Sequence, residues 1–329
     1  MTMAKLERSR NFANKLWNAA RYVLGSQPTE PTEADQAGRG TGGDGTGPMS
    51  LAERWIRSRL AATTAEATRR MDRYDLGGYA TSVTDFAWSD YCDWFLEMAK
   101  VELRDPEVTA ETKARLWATA ADVLAGILRL LHPVMPFVTE EIWAGLGAAR
   151  PSAGFSPLLL TASWPSPGQR DRGAEAWFAA LADVIRAARN LRTEGGLPAG
   201  TVLPLRLIPI DADAAEAATS GRRYVEPLAR VRLELLDPEA AAGTNASAAT
   251  AGRAATSLGA IWLEAAFEAP ARSDSRVADL RRSQARLQAL LADPDFVARA
   301  PAPVVERERQ RLAEIDERLR QIGEASGSG

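Results

Sequence analysis

The chain has 329 residues, 46% of them hydrophobic and 25% charged, with a net charge of −3, which fits two or three globular domains rather than one core. A single cysteine, Cys92, and a single histidine, His132, exclude an intramolecular disulfide and fit a reducing cytoplasm, and they supply only two of the softer ligands for a zinc centre, which takes about three or four His, Cys or carboxylate groups. No run of about 18 uncharged apolar residues marks a membrane span, and Met1–Arg10 carries Lys5, Glu7, Arg8 and Arg10 where a secretory signal has an apolar stretch.

In chain order, Leu6, Ala13, Leu16, Trp17, Ala20, Val23 and Leu24 recur at helical spacing and predict a helix over 4–24 with Gly25 as its stop. Residues 25–50 are Gly, Pro and small polar residues that could bury no core, and read as a disordered insertion. Gly38, Gly40 and Gly43 match a dinucleotide fingerprint there by chance, because no strand precedes them. From Leu51 to Gly147 the pattern is helical throughout and predicts a bundle of about five helices. Tyr79, Val83, Phe86, Ala87, Trp94 and Met98 form an apolar stripe. Asp105-Pro106 ends that helix and Thr109 caps the next. Pro133 disfavours helix at His132, so a break falls there, and Pro136 suits the first turn of the helix that follows.

Residues 147–172 are a Pro/Gly/Ser-rich connection, followed by a helix over Ala174–Arg192. Val202–Ile210 reads as a strand, placed at a sheet edge by Pro204 and Pro209. Tyr224–Arg230 reads as a short helix, Val231–Leu236 and Ala260–Phe267 as strands, and Glu239–Thr256 as a loose surface segment. Val277, Leu280, Gln284, Leu287 and Leu291, then Val305, Glu308, Leu312, Ile315, Leu319 and Ile322, predict two helices. Asp293-Pro294-Asp295 folds them into an antiparallel hairpin roughly 30 Å long. The fold class is mainly α: a helical bundle over 1–147, a linker and small α/β junction over 148–270, a helical hairpin over 271–323 and a flexible tail over 324–329.

Charge is unevenly spread. Residues 1–25 hold Lys5, Arg8, Arg10, Lys15 and Arg21 against Glu7 alone, and residues 51–73 hold six arginines against three acids. These basic helices suit either a polyanion or plain solvation. Catalysis finds little support. A Ser-His-Asp triad would have to use His132, next to Pro133, and the paired acids Glu140/Glu141 and Asp90/Asp93 have the spacing of ordinary helix surface charge.

The string RNFANKLWN over Arg10–Asn18 sets Asn14, Lys15 and Asn18, with Arg21 beyond it, beside Trp17. RNFANKLWNAARYVL resembles the opening of the anticodon-binding helical domain shared by the valine, isoleucine and leucine class I tRNA synthetases, and AERWIRSRL resembles its second helix. FAWSDYCDWFLEMAK and LHPVMPFVTEEIW are similar to further segments of that domain. DFVARAPAPVVERERQRLAEIDERLR over 295–320 resembles the second helix of the coiled-coil arm that marks the valyl-tRNA synthetases, and VIRAARNLRTEGGLPAG resembles their junction between bundle and arm.

That resemblance implies a C-terminal, tRNA-gripping part of such an enzyme, with tRNA(Val) as partner and no DNA or membrane partner. It assigns RNA contact to Arg10, Asn14, Lys15, Trp17, Asn18 and Arg21, although packing within the bundle is the preferred role for Trp17. In the arm, Arg281, Arg282, Arg286, Arg307, Arg309 and Arg311 are candidate phosphate contacts, with Glu306, Glu308 and Glu314 among them favouring simple helix solvation. The family's ATP-site signatures need two histidines or two close lysines, which this chain lacks. No cofactor is expected in it: ATP belongs to a catalytic half that is missing or separately encoded, and the chain alone should not aminoacylate. The alternative is a non-RNA helical scaffold, or a coiled-coil fragment that pairs with another protein or another copy.

Overall fold

The computed structural model describes residues 3–27, 49–198, 200–237, 250–264, 272–293 and 302–326. The glycine-rich stretch 28–48, the segment 239–249, the Pro294-Asp295 turn and the last three residues lie outside these.

Helix α1 spans Met3–Gly25 and buries Phe12, Leu16, Ala19, Ala20 and Val23. Helix α2, Leu51–Asp72, opens with a capping box: Ser50 Oγ accepts from the Glu53 amide, and the Ser50 amide donates back to the Glu53 carboxylate at 2.9 Å. After a tight turn at Tyr74 (φ 57°), helix α3 (Leu76–Asp85) starts on the Asp75 side-chain cap. It continues as a π-helical segment over Phe86–Phe95 and then as α4, Leu96–Arg104. Sequence periodicity gives no sign of that wider turn. It seats Phe86, Tyr91 and Phe95 in the core while Trp88 and Trp94 stay half-buried.

The predicted Thr109 cap is present on α5, Ala110–Leu131, where the hydroxyl accepts from the Thr112 amide at 3.2 Å. The break around Pro133 is also present. His132 itself keeps helical angles, and α6 begins at Pro136 and runs to Ala149. Helix α7, Arg172–Glu194, is capped by Asp171.

Strands β1 (Leu203–Pro209), β2 (Val231–Leu235), β3 (Thr250–Thr256) and β4 (Gly259–Glu264) form one sheet in the order β2-β1-β4-β3. Three expectations change here. First, β1 is interior, parallel to β2 and antiparallel to β4. The Leu203 amide and the Leu207 carbonyl bond on the β2 side, so Pro209 also faces β2 and Pro204 faces β4. The β1–β2 register ends at Leu207 and the β1–β4 register begins at Leu205. Each proline therefore lies where the ladder on its side has run out, and costs no hydrogen bond. Second, the short helix is 18 residues long: α8 spans Ala212–Ala229, started by Asp211 accepting from the Ala214 amide at 2.7 Å. Third, residues 250–256 are the strand β3, paired antiparallel to β4. Their tight turn is specific to glycine, since at Gly259 (φ 140°) a Cβ would fall 1.9 Å from the Ile208 carbonyl oxygen.

Helix α7 joins the parts. One face meets α2, where Trp55 stacks on Phe178 with ring centroids 3.6 Å apart, and Trp94 meets the same Phe178 edge-on. Its other sides pack on α8, β3 and β4. Tyr224 of α8 hydrogen-bonds Glu102 of α4, so bundle and sheet share one continuous apolar core from Phe12 to Leu263. At the far end of α7 the buried Arg192 donates to the carbonyls of Pro198, Thr201, Ala229 and Arg230, closing the loop before β1 onto the end of α8.

Helices α9 (Arg272–Ala292) and α10 (Ala302–Ser326) pack on one another. Leu287, Val305 and Ile315 are buried between them, and Gln284 donates to Asp316 at 2.7 Å. These positions belong to the two predicted stripes or adjoin them.

Candidate nucleic-acid interface

Helix α1 rests on α5, α6 and the π segment, which covers its apolar side and turns the other outward. The outward side carries Arg10, Asn14, Trp17, Asn18 and Arg21, all exposed, at spacings of four, three, one and three residues that keep them on one face. Trp17 is 40% exposed and belongs to this face rather than to the bundle interior, where Leu16 fills the neighbouring position. The reason is helical phase: Leu16, Ala20 and Val23 set the buried stripe, and Trp17 falls beside it.

Lys15 is placed differently. Its ammonium pairs with Asp93 of the π segment and lies 4.1 Å from the centroid of the Trp88 ring, which in turn stacks on Phe12. It anchors α1 to the bundle rather than facing outward with the other five.

In the arm, Arg281, Arg282, Arg286, Arg309 and Arg311 are exposed, and the Arg307 side chain lies outside the described ones. Arg309 sits 3.9 Å from Glu306.

A second basic surface is invisible in the sequence because its members are scattered along it. Arg54, Arg57, Arg129, Arg150, Arg170 and Arg172 line a cleft of about 1210 Å³ between α2, α5, α6 and the 150–171 connection. Asp122 accepts from both Arg57 (3.1 Å) and Arg150 (2.5 Å), and Asp171 pairs with Arg54 at 2.7 Å. Arg170 is paired with Glu175, which holds that carboxyl below its usual range. Arg129 lies over the Trp143 ring at 5.6 Å. Among the described residues no group of three or more His, Cys, Asp or Glu could hold a metal ion, and no helix is long and apolar enough to cross a membrane.

Residues 53–207 match the family described as the anticodon-binding domain of tRNA ligase. Helix α2 through β1 is therefore the anticodon-binding architecture of a tRNA ligase, with α1 laid against it. Residues 269–326, which contain α9 and α10, match the valyl tRNA synthetase tRNA binding arm. The chain belongs to the valyl-tRNA synthetase family, as a tRNA-binding portion that carries this domain and this arm. It is 34% identical to the valine–tRNA ligase of Dehalococcoides mccartyi (strain ATCC BAA-2266) over 97% of its own length and 35% of that protein. It is likewise 34% identical to the valine–tRNA ligases of Bacillus cereus (strain ATCC 14579) and Deinococcus radiodurans, in each case over 94% of this chain and 34% of the relative. The chain thus spans about a third of the length of the relatives it matches.

Proposed function

We propose that the chain holds tRNA(Val) for valylation in the cytoplasm, gripping the anticodon region with the outer face of α1 and the tRNA body with the arm. The ATP-dependent chemistry belongs to the part of the relatives that lies outside the matched third of their length. The observation that carries this reading is the single exposed face of α1. Arg10 and Arg21 lie about 16 Å apart along the axis at about 1.5 Å per residue, as phosphate partners at its two ends. Asn14 and Asn18 between them offer amide donors and acceptors to base edges or 2′-hydroxyls, and Trp17 offers a ring on which an unstacked base can lie. Lys15 positions this face by tying α1 to Asp93. Arg281, Arg286 and Arg311 supply the arm with positive charge toward the RNA backbone.

The test is binding of the purified chain to tRNA(Val) transcripts, normal and anticodon-altered, at low and moderate salt. Tight binding is expected that falls with salt and weakens when the anticodon is changed. Equal weak binding to every RNA would overturn the reading.

A further inference from the structure

The geometry points to a second RNA-binding site in this chain: the arginine-lined cleft between α2, α5, α6 and the 150–171 connection takes a run of phosphates of the tRNA backbone. The inference rests on the proposed tRNA-binding function and adds to it a contact surface separate from α1 and from the arm.

Charge is the first argument. Six arginines line the cleft, while the carboxylates that meet them are Asp122, Asp171 and Glu175. Asp122 serves two guanidinium groups at once, so the Arg57–Asp122–Arg150 cluster keeps a positive charge. Among the described residues no carboxylate pairs with Arg129 or Arg172. Arginines gathered around so few acids repel one another unless an anion shares the space, and guanidinium groups match phosphate oxygens in geometry as well as in charge.

Size is the second argument. At about 1210 Å³ the cleft exceeds the 300–1,000 Å³ typical of small-molecule sites, and it is an open trough suited to a length of polymer. Its charged wall is held in place before any ligand arrives. Trp143 fixes the Arg129 guanidinium from below and is itself anchored by its indole N–H to the Ser156 carbonyl at 2.9 Å. Thr119 and Asp122 hold Arg57. A backbone site of this kind carries no sequence information, so its contribution is the same whatever the anticodon.

The experiment measures tRNA(Val) affinity of the full chain across a salt series for the parent, for Arg129→Gln/Arg172→Gln and for Asp122→Asn. The two arginines are chosen because their removal breaks no ion pair among the described residues, and circular dichroism checks the fold, including the loss of the Arg129–Trp143 contact. The double variant should bind normal and anticodon-altered tRNA more weakly in the same proportion. Its slope of log K against log salt should shrink by about 1.4 to 1.8, the loss of two phosphate contacts. Asp122→Asn should bind more tightly, a change that a damaged fold cannot imitate. Unchanged affinity and slope in the double variant, with parent binding intact, would overturn it while leaving the α1 reading standing. Failure of the parent to bind tRNA would remove both.

Discussion

Lys15 pairs with Asp93 across the contact between α1 and the π-helical segment, beside the face of Trp88. The cation nearest the middle of α1 is thereby committed to the bundle, and the cations on its outer face are Arg10 and Arg21, with the exposed Glu7 one turn before them. Lys15→Ala should lower stability by about 1 kcal/mol, the value of a partly exposed ion pair with a cation–π contact, and leave the salt slope of tRNA binding unchanged. Urea denaturation and binding titrations check the two halves. Arg21→Ala should do the reverse, weakening binding at little cost in stability.

Trp17→Ala is expected to weaken tRNA binding by about 1–3 kcal/mol, the loss of one base–aromatic stack. With the ring 40% exposed, its stability cost should stay well below that of truncating a core aromatic. Trp17→Phe should restore most of the affinity. An alanine variant that binds normally would show that the ring carries no base.

Phe178 is where the bundle and α7 interlock, stacked on Trp55 and met edge-on by Trp94. Phe178→Ala should cost about 3–5 kcal/mol, because it leaves a cavity lined by two indoles that cannot close without moving α2. The thermal midpoint should fall accordingly, and near-ultraviolet circular dichroism should lose tryptophan signal.

The pH dependence follows from two buried groups in the bundle. Burial pushes the Cys92 thiol up to about 12 and the Tyr79 hydroxyl, bonded to the Leu130 carbonyl, up to about 12. Both are raised, so the neutral forms belong to the fold and their contribution is complete below about pH 9, where the unfolded chain is also neutral. It is lost progressively as pH rises from about 9 to 12. Denaturation midpoints should therefore drop across that range, and the folded thiol should resist alkylation at pH 8 until the chain is unfolded.

Much of this was legible in the sequence because it rests on periodicity and capping. The Leu16/Ala20/Val23 stripe, the Thr109 cap, the break at Pro133 and the hairpin stripes through Leu287 and Ile315 each depend on residues within two or three helical turns. What escaped depends on partners distant in the chain. Pro204 and Pro209 argued for an edge because the neighbour that each proline nitrogen faces is set by the pairing with β2 and β4 and is not written into β1. The start of α8 was hidden by its alanine-rich, weakly periodic opening after Asp211, and β3 by its small residues, whose strand character comes from pairing with β4. The π segment shifts the phase of an otherwise ordinary aromatic stripe. For the candidate interface, the residues of α1 were readable by type, yet only packing separates Lys15 from its neighbours and turns Trp17 outward. The arginine cleft had no local signature, since it joins positions from Arg54 to Arg172 across four segments.

Helix α7 gives one face to the aromatic stack of the bundle and the rest to the sheet, so there is no seam along which the two could be parted. A break in the peptide chain within the 150–171 connection would leave the pieces on either side held by the Trp55–Phe178 stack, the Arg54–Asp171 pair and the Tyr224–Glu102 hydrogen bond. A gene divided at that point should therefore yield two polypeptides that find each other and rebuild the whole. Stopping the chain there instead would strip α2 of its cover and leave Trp55 facing water.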